Sequence, residues 1–94
     1  MAFRQESAQT VALQALGWLA GQDELFDAFL GASGADAAEV RARAADPEML
    51  GSVLDFLLAD EPALLRFCAD AGLRPEVPMQ ARTALPGGDA PFWI

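Results

Sequence analysis

The sequence contains no histidine, no tyrosine and no lysine, and it has a single cysteine, Cys68. Without histidine, the side chain that titrates nearest neutrality is missing, so general acid-base chemistry is left to carboxylates. One thiol and no imidazole also fall short of a zinc site. The Glu-x-x-His pattern with which helical bundles hold paired metals is absent, as is an Asp-x-Asp-x-Asp-Gly calcium loop. No catalytic residue, cofactor or metal is therefore expected.

Other absences bound the location and fold class. A lone cysteine cannot form an intramolecular disulfide, and Met1 to Glu6 lack the basic start and apolar run of a secretory signal. A cytoplasmic protein is expected. The longest nearly uncharged apolar stretch, Val11 to Gly21, is only half the roughly 20 residues a bilayer-spanning helix needs, so no membrane partner is expected. No run alternates apolar and polar residues with β-branched enrichment, which leaves no strand signal.

What is present suits one small, acidic, all-α domain. The 94 residues are 53% hydrophobic, and 14 carboxylates against 6 basic residues give a net charge of -8. A chain of this mass should remove roughly 60 to 65% of its unfolded surface from water, enough for a single core without disulfides or metal. All six basic residues are arginine and alanine is abundant. Both are compositional habits of a GC-rich coding genome, so the arginines carry no special weight.

Helix signals divide the chain into five or six short helices, built from hairpins into a compact bundle spanning residues 1–94. The first runs from about Ser7, an N-cap type, to Gly21, with Val11, Ala12, Ala15, Leu16 and Leu19 on one face. Leu13 and Trp18 widen that face, so only Gln14 and Gly17 are expected to look outward. A second helix starts at Asp23 and ends before Gly34, with Leu25, Phe26, Phe29 and Leu30 as its core stripe. Asp36 followed by Glu39 reads as a capping box opening a third helix to about Ala45, in which Glu39 can pair with Arg43 one turn on.

Asp46-Pro47 and Asp60-Glu61-Pro62 are two further N-terminal signals, with proline in the first turn, where its missing N–H does no harm. The fourth helix, to about Ala59, is apolar over most of its surface, with Ser52 and Asp55 marking a narrow outer strip. The fifth carries Leu64, Leu65, Phe67 and Cys68 and stops near Gly72. A sixth opens at Pro75-Glu76 and runs through Ala84, with Pro78 confined to its first turn. Pro86 to Pro91 cannot continue a helix, so residues 86–94 form an irregular tail ending in Phe92, Trp93 and Ile94. The helices at 7–21 and 47–59 are expected at the centre with the two hairpins around them, and Leu16, Leu54, Phe56 and Phe67 in the core.

An internal repeat is visible at offsets of 37 to 39 residues. Asp23-Glu24, Phe29, Gly34, Glu39-Val40 and Ala42-Arg43 have counterparts in Asp60-Glu61, Phe67, Gly72, Glu76-Val77 and Ala81-Arg82. Two copies are too few for a solenoid. The pattern describes two helix-glycine-helix hairpins of one shape, whether by duplication or because alanine-rich hairpins look alike.

Four segments also carry a family resemblance: Thr10 to Leu16, Arg43-Ala44-Ala45-Asp46-Pro47, Val53 to Glu61 and Phe67 to Leu73. Together with Leu85-Pro86-Gly87-Gly88-Asp89 ahead of Pro91 and Trp93, they make the chain similar to the small bacterial family called domain of unknown function 3572. The resemblance covers roughly residues 8–94. It departs from the family pattern at Phe92, where relatives often carry histidine, and at Pro78, within a segment expected to be plainly helical. It implies one domain and brings no assigned activity.

Among candidate sites, Cys68 lies within a helix that buries its apolar face and has no cation or helix start beside it, since Arg66 is two positions away. It reads as a small core residue. Most carboxylates fall in first turns, where capping and the helix dipole account for them. Leu30, Gly34 and Val40 are spaced like the bend of a helix-turn-helix, with Arg41 and Arg43 on the would-be reading helix. A domain of charge -8 is poorly suited to neutralising phosphates, so no nucleic acid is expected.

What remains is a non-catalytic protein-interaction module with an unknown protein partner, docking through an apolar groove rimmed by carboxylates. The alternatives are the helix-turn-helix reading and a small-molecule pocket between helices. Phe92, Trp93 and Ile94 are the candidate interaction residues. Solvated tails are usually polar, and the preferred reading is that Trp93 folds back onto its own bundle, the rival being an exposed docking peptide.

Overall fold

A computed structural model of the chain describes residues 4–85 and folds them into six α-helices: α1 (Gln5–Ala20), α2 (Asp23–Ser33), α3 (Ala37–Ala42), α4 (Pro47–Leu58), α5 (Glu61–Ala71) and α6 (Glu76–Thr83). No strand occurs among the described residues. The local signals act as their chemistry requires. The Glu39 N–H donates to Asp36 Oδ1 at 2.8 Å, and the Glu39 side chain accepts from the Asp36 N–H, completing the capping box of α3. Asp46 accepts from the Glu48 N–H at 2.9 Å, and Asp60 from the Ala63 N–H at 3.2 Å, each with proline in the first turn behind it.

Two helices stop at glycines with positive φ, Gly34 at 74° and Gly72 at 70°. That conformation turns the chain back and lets the amide of each glycine reach the carbonyl four residues earlier, Leu30 and Cys68 respectively. After Gly72 the Leu73 N–H also reaches the Cys68 carbonyl, at 2.9 Å.

Several boundaries and neighbours differ from expectation. α1 begins at Gln5, because the Ala8 N–H already bonds to the Arg4 carbonyl, so Ser7 is inside the first turn rather than capping it. α3 ends at Ala42 instead of Ala45. There Arg43 leaves the helix and its guanidinium turns forward to Asp46, at 2.8 Å, in place of Glu39.

The core is one continuous cluster drawn from all six helices. α1 and α4 are central, as expected, but they share the centre with α6. The most extensive helix contacts are α1 with α6 and α1 with α4, followed by α4 with α6. Several fully enclosed residues of these two helices are small, Ala8, Ala12 and Ala15 in α1 and Ala81 in α6. Small side chains let two helix axes approach closely, and Pro78, also buried, sits in the first turn of α6, where it breaks no helical hydrogen bond. Leu16, Leu54 and Phe67 are buried as expected. Phe56 is only half-buried, and it packs edge-on, with ring centroids 5.5 Å apart, against Phe29, the fully enclosed side chain of α2.

Candidate functional site

The one departure from expectation that creates a surface feature lies on α1. This helix is apolar around most of its circumference, and α4 and α6 cover one side of it. Leu13 lies on the uncovered side and stands 52% exposed, although its sequence setting placed it in the core face.

On one flank of Leu13, α1 faces α2 and α3 across a hollow of about 450 Å³. Its lining is apolar except for Arg41 and includes Leu16, Gly17, Phe26, Val40 and Ala44. The hollow exists because small residues occupy its walls: Ala20, Ala37 and Ala44 are short, and a Cβ built on Gly17 would meet nothing within 4 Å. On the other flank a second hollow, of about 490 Å³, is lined by Glu6, Gln9, Thr10, Ala44, Ala45 and Leu50 as well as Leu13. Leu13 and Ala44 belong to both, so the two hollows form one groove with Leu13 as its central ridge. Polar groups are sparse along it. The Thr10 hydroxyl is committed to the Glu6 carbonyl at 3.1 Å, and Arg41 has no ion pair among the described residues.

Elsewhere the polar groups serve the fold. A hollow of about 390 Å³ between α2 and α4 holds Ser33, Ser52 and Asp55. Ser33 donates to the Leu30 carbonyl and accepts from the Ala35 N–H, while Ser52 donates to the Glu48 carbonyl. Asp55 is held by Arg82 of α6, whose Nε donates to it at 2.6 Å. The Arg82 guanidinium lies across Gly51, where a Cβ would come within 3.1 Å of it. Near the far end of α1, the Trp18 indole N–H donates to Asp70 Oδ2 at 2.7 Å, the Arg66 guanidinium stands 5.7 Å from the Trp18 ring, and Arg66 donates to Gln22. That cluster ties α1 to α5 across 52 positions of sequence.

Cys68 is buried, with its Sγ 3.9 Å from the Arg74 carbonyl. Burial pushes its thiol pKa up, and the Glu76 charge adds to the effect. At neutral pH the reactive thiolate is therefore depleted. No group of three or more metal-ligating side chains gathers among the described residues. Of the helix-turn-helix residues, Val40 is buried and Arg43 is paired with Asp46, and α3 is six residues long.

Phe92, Trp93 and Ile94 lie outside the described residues. A docking groove was expected, but the residues that line this one were not among the sequence candidates. Its signal, a glycine and several alanines facing a widened apolar helix, cannot be told from core packing until the neighbouring helices are placed.

No curated protein and no solved structure matches the chain. The family model for "Protein of unknown function (DUF3572)" matches residues 5–88, which cover all six helices, and the chain belongs to that family.

Proposed function

We propose that this protein is a non-catalytic, cytoplasmic protein-interaction module, and that it engages its partner through the groove around Leu13. The observation that carries the reading is the half-exposed Leu13 standing between two adjoining hollows, an apolar one of about 450 Å³ and one of about 490 Å³ edged by Glu6, Gln9 and Thr10. A single exposed leucine is ordinary on a protein surface. A leucine ridge with recesses on both flanks is the shape that receives the i, i+3, i+4 side chains of an amphipathic helix. The net charge of -8 favours a partner with basic residues flanking its apolar face, through faster encounter and rejection of acidic competitors. The non-catalytic part of the reading is supported by the residue types present: no imidazole, a buried thiol held protonated, and Asp36, Asp46, Asp55 and Asp60 engaged in capping or ion pairs. No described helix is long and apolar enough to cross a membrane.

The test is a pull-down with the wild type and with Leu13→Glu, each at low and high salt. A protein retained by the wild type, lost with the variant and weakened by screening supports the reading. Identical retention by both baits refutes the groove as the docking site.

A further inference from the structure

We infer that in the free protein the groove around Leu13 is filled by the chain's own segment Phe92-Trp93-Ile94, so that any partner must displace it. The inference rests on the reading of this groove as a docking surface and names its resident occupant.

Nine residues, 86–94, follow the described part of the chain. Leu85 is buried just past the end of α6. One turn earlier, Arg82 holds Asp55 and lies against Gly51, which fixes the end of α6 beside the middle of α4. Leu50, the residue before Gly51, walls the hollow next to Leu13. The chain thus leaves α6 close to an α4 residue that walls the groove. Residues 86–92 can span roughly 23 Å when extended, close to the 25 Å shortest dimension of the molecule. That reach brings Phe92 and the two residues after it to the groove.

The segment and the groove are also complementary in character. The segment 86–94 holds one charged residue, Asp89, three positions before an apolar triplet. The hollow between α1, α2 and α3 is apolar and has one cation on its rim, Arg41, which has no ion pair among the described residues. Docking the triplet on Leu13 therefore brings a carboxylate toward an arginine available to receive it, away from Glu6 at the other flank. Tryptophan alone offers on the order of 150 to 250 Å² of surface to bury. Pro86 and Pro91 restrict the undocked chain, which lowers the ordering cost of docking.

The experiment uses the full chain labelled with 5-fluorotryptophan, which carries two fluorine reporters, Trp18 and Trp93. Trp93→Phe assigns them. The expected result is a Trp93 resonance with little solvent-isotope shift, unchanged on dilution, that moves to the solvent-exposed position in Leu13→Glu and partway in Arg41→Glu. The Trp18 resonance should stay in place and report an intact fold. A solvent-exposed Trp93 in the wild type overturns the inference, as does a protected Trp93 that ignores Leu13→Glu. A signal that changes with concentration overturns it in favour of a second copy of the chain. Should Leu13→Glu disturb the fold, a nuclear Overhauser contact between the Trp93 ring and the Leu13 methyls of the unsubstituted chain decides the question, and its absence overturns the inference. If Trp93 is exposed while the pull-down still depends on Leu13, only the self-docking inference fails. If neither depends on Leu13, the docking surface fails with it.

Discussion

The hairpins α2–α3 and α5–α6 begin alike and end differently. Each opens on acidic residues, buries one phenylalanine completely, Phe29 or Phe67, and stops at a glycine with φ near 70°. Beyond the glycine they part. α6 enters the centre of the bundle against α1 and α4, whereas α3 stays at the edge and leaves α1 uncovered around Leu13. The same contrast holds for matched residues. Ala81 is fully enclosed and Ala42 is exposed; Arg82 crosses to Asp55 on another helix, and Arg43 pairs locally with Asp46 three residues on. A repeated pattern thus sets the shape of a hairpin without setting its depth in the molecule. The difference between the two second helices is what opens the groove.

The largest effects should confirm what the hairpins share. Phe29→Ala and Phe67→Ala are each expected to cost about 3 to 5 kcal/mol, the range for emptying a buried aromatic site, read as matching drops in the urea midpoint. A loss at one position alone would break the likeness of the first helices.

Overpacking should expose the contrast next. Ala81→Leu is expected to cost about 1 to 3 kcal/mol, because nothing beside α6 can yield without displacing α1 or α4. Its counterpart Ala42→Leu should change stability by less than about 0.5 kcal/mol. Equal costs in thermal denaturation would mean that α3 is as deeply packed as α6.

The stops should again behave as a pair. Gly34→Ala and Gly72→Ala force an L-residue into the left-handed region, at about 1 to 2 kcal/mol each, although open space surrounds both positions. Since a Cβ would touch nothing, conformational strain is the only source of that cost.

The smallest effects separate the two arginines. In its pair with Asp55 the Arg82 side chain is 17% exposed and that of Asp55 59%, so Arg82→Met should cost about 1 kcal/mol after allowance for solvent screening. Arg43→Met should leave the midpoint at pH 7 almost unchanged. The bond from Arg43, and after it the Glu48 amide, hold the Asp46 carboxyl below its ordinary value of 3.8. A depressed carboxylate stabilises the fold fully above its unfolded pKa and loses that contribution as pH falls through the folded value. The slight advantage of wild type over Arg43→Met should therefore shrink in acid, as denaturation midpoints at pH 7 and pH 3 would record.

Helix ends marked by a capping aspartate or a glycine stop were legible in the sequence because each is settled by bonds within about four residues, whereas the start of α1 and the end of α3 were not. Asp36 with Glu39, Asp46 with Pro47, Asp60 with Pro62, and Gly34 and Gly72 each act on their own backbone, whatever the rest of the chain does. All-helical architecture, the central place of α1 and α4 and the burial of Phe67 followed from the same local periodicity. Partners across the fold were not legible. A helix as apolar as α1 has more candidate core positions than its neighbours can cover, and its periodicity does not say which side will be left open. That was decided when α6, with small and buried Ala81, took the close position against α1, and six-residue α3 took the distant one. Leu13 stands between two hollows for that reason, and the choices of Arg82 for Asp55 and Trp18 for Asp70 follow from the same placement. Local chemistry determined the elements of this protein. Competition among helix faces for a limited core decided which face was left exposed.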